Sequence, residues 1–213
     1  IPGDDTNMRV LTCYCDRHAK VKFVSLGHVL LEDHTPTAIG NPVAIINEVD
    51  EKIAAAATEF LEHIGYTGFA NFDIKYDSPE LRIYNSRNGT YNFFEINVRL
   101  GRSNYYVTGS GFNVVKWIVD DLIYEKDLEY TVADNENLFY VVPRGIIMKY
   151  VKDPELRKRI KRLFRSGKSS YPLYYKKDLS PVRRFYVYAS YLNQYRKYYK
   201  TEKNSVPVYG KLK

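Results

Sequence analysis

The chain has 213 residues, 45% of them hydrophobic, and a formal net charge of +7; that suits one good core plus an extension and excludes a disordered polymer. Cys13 and Cys15 are its only cysteines, too few for a zinc site and badly placed to bridge each other, so they read as reduced packing residues. No apolar run approaches a membrane span and no signal peptide precedes the first strand, so a cytosolic protein is expected; because Ile1 stands where a Met would open a chain, the natural amino terminus is expected to be missing.

In chain order, Met8 to Tyr14 and Lys20 to Leu26 predict a hairpin around Cys15-Asp16-Arg17-His18, followed by an irregular loop through Gly40 and Pro42. Asp50 opens a helix on which Ile53, Ala56, Ala57, Phe60, Leu61 and Ile64 repeat at helical spacing, and Gly65 ends it. The histidines His18, His28, His34 and His63 show no ligand spacing.

Two strands then break the ordinary pattern. In residues 68–76, Asn71, Asp73 and Lys75 share one face, while Ala70, Phe72, Ile74 and Tyr76 share the other. In residues 93–99, Glu95 and Asn97 oppose Phe94, Ile96 and Val98. A strand over Leu81–Asn85 and an Asn88-Gly89 turn are expected between them. If the two strands are neighbours, two carboxylates and two amides converge, and close carboxylates repel unless a cation sits between them. Magnesium prefers such oxygens and keeps positions open for phosphates, so Asp73, Glu95 and the Asn97 carbonyl form a candidate metal set, with Arg99 a fork for phosphate or carboxylate. On spacing alone, a solvated outer face of an antiparallel sheet explains the same residues.

The pattern Gly68-Phe69-x-Asn71-x-Asp73 followed by Glu95-Ile96-Asn97-x-Arg99 resembles the end of the ATP-grasp fold of carboxylate–amine ligases and the large subunit of carbamoyl-phosphate synthase. Ile1-Pro2-Gly3-Asp4-Asp5-Thr6 looks like the start of that lobe, and Ala38-Ile39-Gly40-Asn41-Pro42 like its middle loop. The resemblance implies that Asp73, Glu95 and Asn97 hold Mg2+ (or Mn2+) on the phosphates of ATP, while Asn71 and Arg99 face the transferred phosphoryl group. It implies a carboxylate and an amine as further substrates. Asp73 departs slightly from the amide that carbamoyl-phosphate synthases look to prefer, which tilts the resemblance towards the ligases. It also implies that the lobes carrying the adenine pocket precede this chain, so the chain alone should be inactive.

After Arg99, Gly101-Arg102-Ser103-Asn104 and Thr108-Gly109-Ser110-Gly111 lead into a helix with Val114, Val115, Trp117, Ile118 and Leu122. Spacing favours a flexible connection over an anion loop; the resemblance would make Arg102 and Ser110 substrate-binding candidates. Further on come a strand over 138–142 and helices opened by Asp153-Pro154 and Ser180-Pro181, the last with a core stripe of Val182, Phe185, Ala189 and Leu192.

Residues 144–213 carry 20 Lys+Arg against 4 Asp+Glu, whereas residues 1–143 carry 12 against 21. This basic, tyrosine-rich tail motivates a rival reading as a nucleic-acid or polyanion-binding module. It has no recognition motif, so nucleic acid is not expected; a lysine surface over buried tyrosines, or packing on the acidic front part or another subunit, explains it as well. The expected fold is therefore α+β: an ATP-grasp C-terminal lobe over residues 1–126, with an antiparallel sheet and helices on one face, then a mostly helical basic extension over 127–213. No membrane partner is expected, and a homo-oligomer is left open.

Overall fold

The computed structural model describes residues 3–77, 89–178 and 180–204. The strands β1 (Met8–Cys15), β2 (Val21–Glu32), β3 (Pro42–Glu48), β4 (Gly68–Asp77), β5 (Thr90–Asn97), β6 (Thr131–Val132), β7 (Leu138–Tyr140) and β8 (Ser169–Ser170) join in one sheet. Their order is β5-β4-β1-β2-β3-β7-β8, with β6 paired to β2. Most neighbours are antiparallel, but β6 joins β2 and β8 joins β7 in parallel, so the sheet is mixed. Short strands past residue 126 thus complete the sheet begun by the front part, and Ala133, Leu138 and Phe139 lie in its core.

Helices cover both faces, not one as expected. On the first face lies α1 (Glu51–His63), whose N-cap Asp50 accepts from the amides of Lys52 and Ile53. Its Ile53, Ala57 and Leu61 pack on Leu11, Cys13, Leu26, Ala70, Phe72 and Ile74. Gly65 ends it at φ +65°, a conformation that side chains with a Cβ resist. The predicted helix is right in place, but Phe60 and Ile64 are 47% and 52% exposed. Further along this face, α4 (Arg144–Tyr150) and α5 (Pro154–Arg165) bury Ile146, Ile147, Ile160 and Leu163 against Leu30, Val43 and Ile46. On the second face, α2 (Tyr105–Gly109) and α3 (Val114–Ile118) bury Tyr106, Val107 and Val114 against Val10, Tyr14, Phe23, Ile45 and Phe69.

The irregular loop expected through Gly40 ends at Pro42, where β3 begins, a strand not assigned from the sequence. Its Val43-Ala44-Ile45-Ile46 run is buried on both faces, and such a run lacks the alternation that marks a half-exposed strand. The strand and turn expected over 81–89 fall almost wholly outside the described residues.

The last helix, α6 (Pro181–Asn204), starts where Ser180-Pro181 predicted, but the stripe of Val182, Phe185, Ala189 and Leu192 faces outward, with Phe185 68% exposed. The helix docks by its opposite side instead. There Tyr198 is buried, its ring 5.4 Å from Tyr150, and the Tyr191 hydroxyl accepts from the Arg144 amide at 3.3 Å. Both sides are apolar enough to have served; the tyrosines prevail because their hydroxyls find partners at the rim of the core.

Part of the tail's basic charge is used internally. Arg157 donates to the carbonyls of Met148 and Val151, and Arg159 and Arg162 both grip Glu136. Arg159 also lies 3.7 Å from Glu48, which pairs with the buried Arg9 at 2.5 Å. Among the described residues, no helix is long and apolar enough to cross a membrane.

Candidate functional site

β4 and β5 are neighbours, and their register sets Asn71 opposite Asn97 and Asp73 opposite Glu95. The two carboxylates and two amides singled out in the sequence therefore share one face at one edge of the sheet. A bulge between Asp73 and Ile74 shifts the pattern beyond it: Phe93, not Phe94, faces Ile74, and its ring meets Phe72 edge-on at 5.4 Å. The apolar side of β5 is not a core. Phe94, Ile96 and Val98 are 54%, 38% and 71% exposed, because α1 covers β1 and β4 and leaves the edge strand open.

Asp73 is half-buried, and its carboxyl is pushed up to about 6, first by burial and then by the charge of Glu95, against the opposing pull of Arg99. Asn97 Nδ2 donates to Glu95 Oε1 at 3.0 Å, which leaves the amide carbonyl as the group a cation would use. Arg99 is exposed, with Nη1 on the Leu100 carbonyl at 3.2 Å.

The donor set suits a hard cation: the charge of Glu95 raises the cost of ionising Asp73, and a divalent ion would remove that cost. Among the described residues, no three His, Cys, Asp or Glu side chains gather into a metal-binding group. The set is thus two carboxylates plus an amide, an open arrangement rather than a closed cage.

Asn71 sits deeper than the sequence suggested, at 5% exposure. Its Oδ1 accepts from Thr12 Oγ1 at 2.7 Å and from Asn104 Nδ2 at 3.3 Å. Asn104 Nδ2 also donates to Thr12 Oγ1 at 2.9 Å. The Tyr106 hydroxyl, 3.0 Å from Thr12 Oγ1, anchors this network on the Ser25 carbonyl at 2.7 Å. Sequence reasoning missed Thr12, Tyr106 and Asn104. The available signal was one polar residue, Thr12, inside the apolar run of β1.

The substrate-binding candidates separate. Arg102 is exposed beside Gly101, whereas Ser110 is buried at the C-terminal end of α2, its hydroxyl on the Val107 carbonyl at 2.8 Å and its own carbonyl taking Asn135 Nδ2 at 3.1 Å. Ser110 is thus held in the fold rather than at the strand pair. Glu32, not anticipated, feels Asp73: burial and then Asp5 push its carboxyl up to about 7, with Asp73 adding and His34 and Lys75 opposing. Asp5 itself accepts from His34 Nε2 at 2.7 Å and from the Glu32 amide at 2.9 Å.

No family model matches this chain. Over 208 residues, 93% of its length, it is 38% identical to a D-aspartate ligase of Enterococcus faecium (strain Aus0004), of which the match covers 47%, so the chain spans about half the length of the curated relative. Among solved structures it is similar to the biotin carboxylase domain of Hydrogenobacter thermophilus 2-oxoglutarate carboxylase, with 14% identity, a TM-score of 0.44, and 61% of this chain and 27% of that one covered. It is also similar to an L-amino acid ligase from Bacillus licheniformis, with 15% identity, a TM-score of 0.37, and 57% and 30% covered.

Proposed function

We propose that this chain belongs to the ATP-grasp superfamily and forms the C-terminal part of an ATP- and magnesium-dependent ligase that joins a carboxylate to an amine. The observation that carries this reading is the register of β4 and β5, which pairs Asp73 with Glu95 and lines up Asn71 with Asn97 on one face. The identity to a D-aspartate ligase over 93% of the chain supports an amino-acid carboxylate, with D-aspartate the first to test.

In the proposed reaction a carboxylate oxygen attacks the γ-phosphorus of ATP, and ADP leaves. The amine then attacks the resulting acyl phosphate, loses a proton, and releases inorganic phosphate as the amide forms. Asp73, Glu95 and the Asn97 carbonyl would hold magnesium, which neutralises charge on the phosphate oxygens when bound. The Arg99 guanidinium, exposed at the end of this row, stabilises the charge on the group in transfer, with the Asn71 amide beside it. Chemistry of this kind depends on positioning and electrostatics more than on a general base.

The test is ADP release by the full-length protein with D-aspartate, magnesium and a pool of amine acceptors. Glu95→Ala is expected to abolish turnover and to leave the fold intact, because Glu95 is an exposed edge residue whose side chain bonds Asn97. Full activity in that variant would reject the assignment. This chain by itself is expected to bind nucleotide weakly, so ATP with magnesium should move its melting temperature little.

A further inference from the structure

The network behind the carboxylate pair contains two groups that packing does not explain. Asn104 is 6% exposed, and its Oδ1 is buried with no hydrogen-bond partner among the described residues. An unsatisfied buried acceptor costs stability and calls for a reason. Asn71 has the complementary feature: Oδ1 takes two hydrogen bonds, and Nδ2 has no acceptor among the described residues.

Both groups meet at one point. A Cβ built on Gly101 would lie 2.4 Å from Asn71 Nδ2 and 2.7 Å from Asn104 Oδ1. The backbone that follows Arg99 therefore passes directly over the two amides, and only a residue without a side chain fits there. Asn71 is two residues from Asp73 on the same face and opposite Asn97, so it stands at the end of the row of candidate site residues.

We propose that Thr12 and Asn104 are positioning residues that fix the side-chain amide of Asn71 beside the Asp73–Glu95 pair, with Gly101 leaving room for it. This rests on the ligase reading, in which Asn71 faces the transferred group. Two donors on Asn71 Oδ1 lock the amide plane, and the Tyr106 hydroxyl, tied to a main-chain carbonyl that can only accept, holds the network to the centre of the sheet. Nδ2 is thereby kept as a preorganised donor for an anionic oxygen.

The experiment uses the full-length protein and separates this role from a structural one. Thr12→Val keeps the shape and removes the donor to Asn71; it should lower kcat about tenfold or more with KM for ATP within about twofold, and Thr12→Ser should restore kcat. The Thr12→Val/Asn71→Ala double variant should be no slower than Asn71→Ala alone. In this chain, the Asn71 side-chain NH2 signals should broaden in Thr12→Val, a readout that needs no turnover. A lowered melting temperature with unchanged kcat in Thr12→Val, or fully multiplicative losses in the double variant, overturns the proposal. Full turnover in Asn71→Ala with loss in Glu95→Ala overturns it while leaving the ligase reading in place. Full turnover in Glu95→Ala overturns the reading beneath it.

Discussion

The Tyr198 hydroxyl donates to the main-chain carbonyl of Glu32 at 3.1 Å, across 166 residues of chain, and its ring lies 6.1 Å from that of His34. This joins the tip of the last helix to the end of β2. Tyr198→Ala should destabilise the chain by about 3 kcal/mol or more, as for a large buried aromatic, whereas Phe185→Ser on the outward side should change stability by no more than about 0.5 kcal/mol. Urea unfolding of the two variants measures the contrast. A larger loss in Phe185→Ser would mean that α6 docks by its other side.

Asp73 predicts a definite pH dependence. Burial lifts its folded-state pKa to about 6, above the ordinary carboxyl value of 3.8, so its favourable contribution is fully present below about pH 4 and is lost as pH rises through 6. Asp73→Asn, which removes the ionisation, should therefore be more stable than the parent at pH 7.5 and equal to it at pH 4. With the partial exposure of the group screening the effect, the gain is about 1 kcal/mol, or roughly 3 °C in melting temperature. Melting curves across this range check it, and a gain at pH 4 instead would reverse the assigned cause.

Gly27 is a test of packing. A Cβ there would lie 2.6 Å from Ile45 Cγ2, 3.0 Å from Val10 Cγ2 and 3.1 Å from the Tyr106 ring. All three are core side chains with little freedom to yield. Gly27→Ala should cost about 2 kcal/mol, seen as a lower urea midpoint at unchanged slope.

Removing residues 127–213 should not leave a folded lobe. The cut takes away β6, β7 and β8 together with Ile146, Ile147, Ile160 and Leu163, which opens the edge of β3 and uncovers Leu30, Val43 and Ile46. The shortened chain is expected to lose its cooperative thermal transition and to bind a hydrophobic dye. A sharp transition in circular dichroism would show that residues 3–126 fold alone.

The sequence made legible whatever rests on local chemistry. Asp50 and Asp153 announced two helix starts as N-caps, and the polar alternation in β4 and β5 announced a shared face before their pairing was seen. What it left hidden depends on contacts far apart in the chain. β3 is apolar on both faces and so has no period to read, and α6 offers two apolar sides between which only the position of Tyr150 and Glu32 decides. Asn71 looked like a member of the exposed row because periodicity gives the face a side chain occupies, not its depth. Its depth is set by Thr12 and Asn104, at separations of 59 and 33 residues.

Among the described residues β5 ends the sheet, and this rim shows Phe94, Ile96 and, just past the strand, Val98 to solvent. Such a border is a template for adding one more strand, and among the described residues of this rim Glu95 and Arg99 are the charges that would repel a newcomer. In concentrated solution this rim is where one molecule would begin to hydrogen-bond to the next. Neutralising those two charges would therefore shorten the shelf life of the protein.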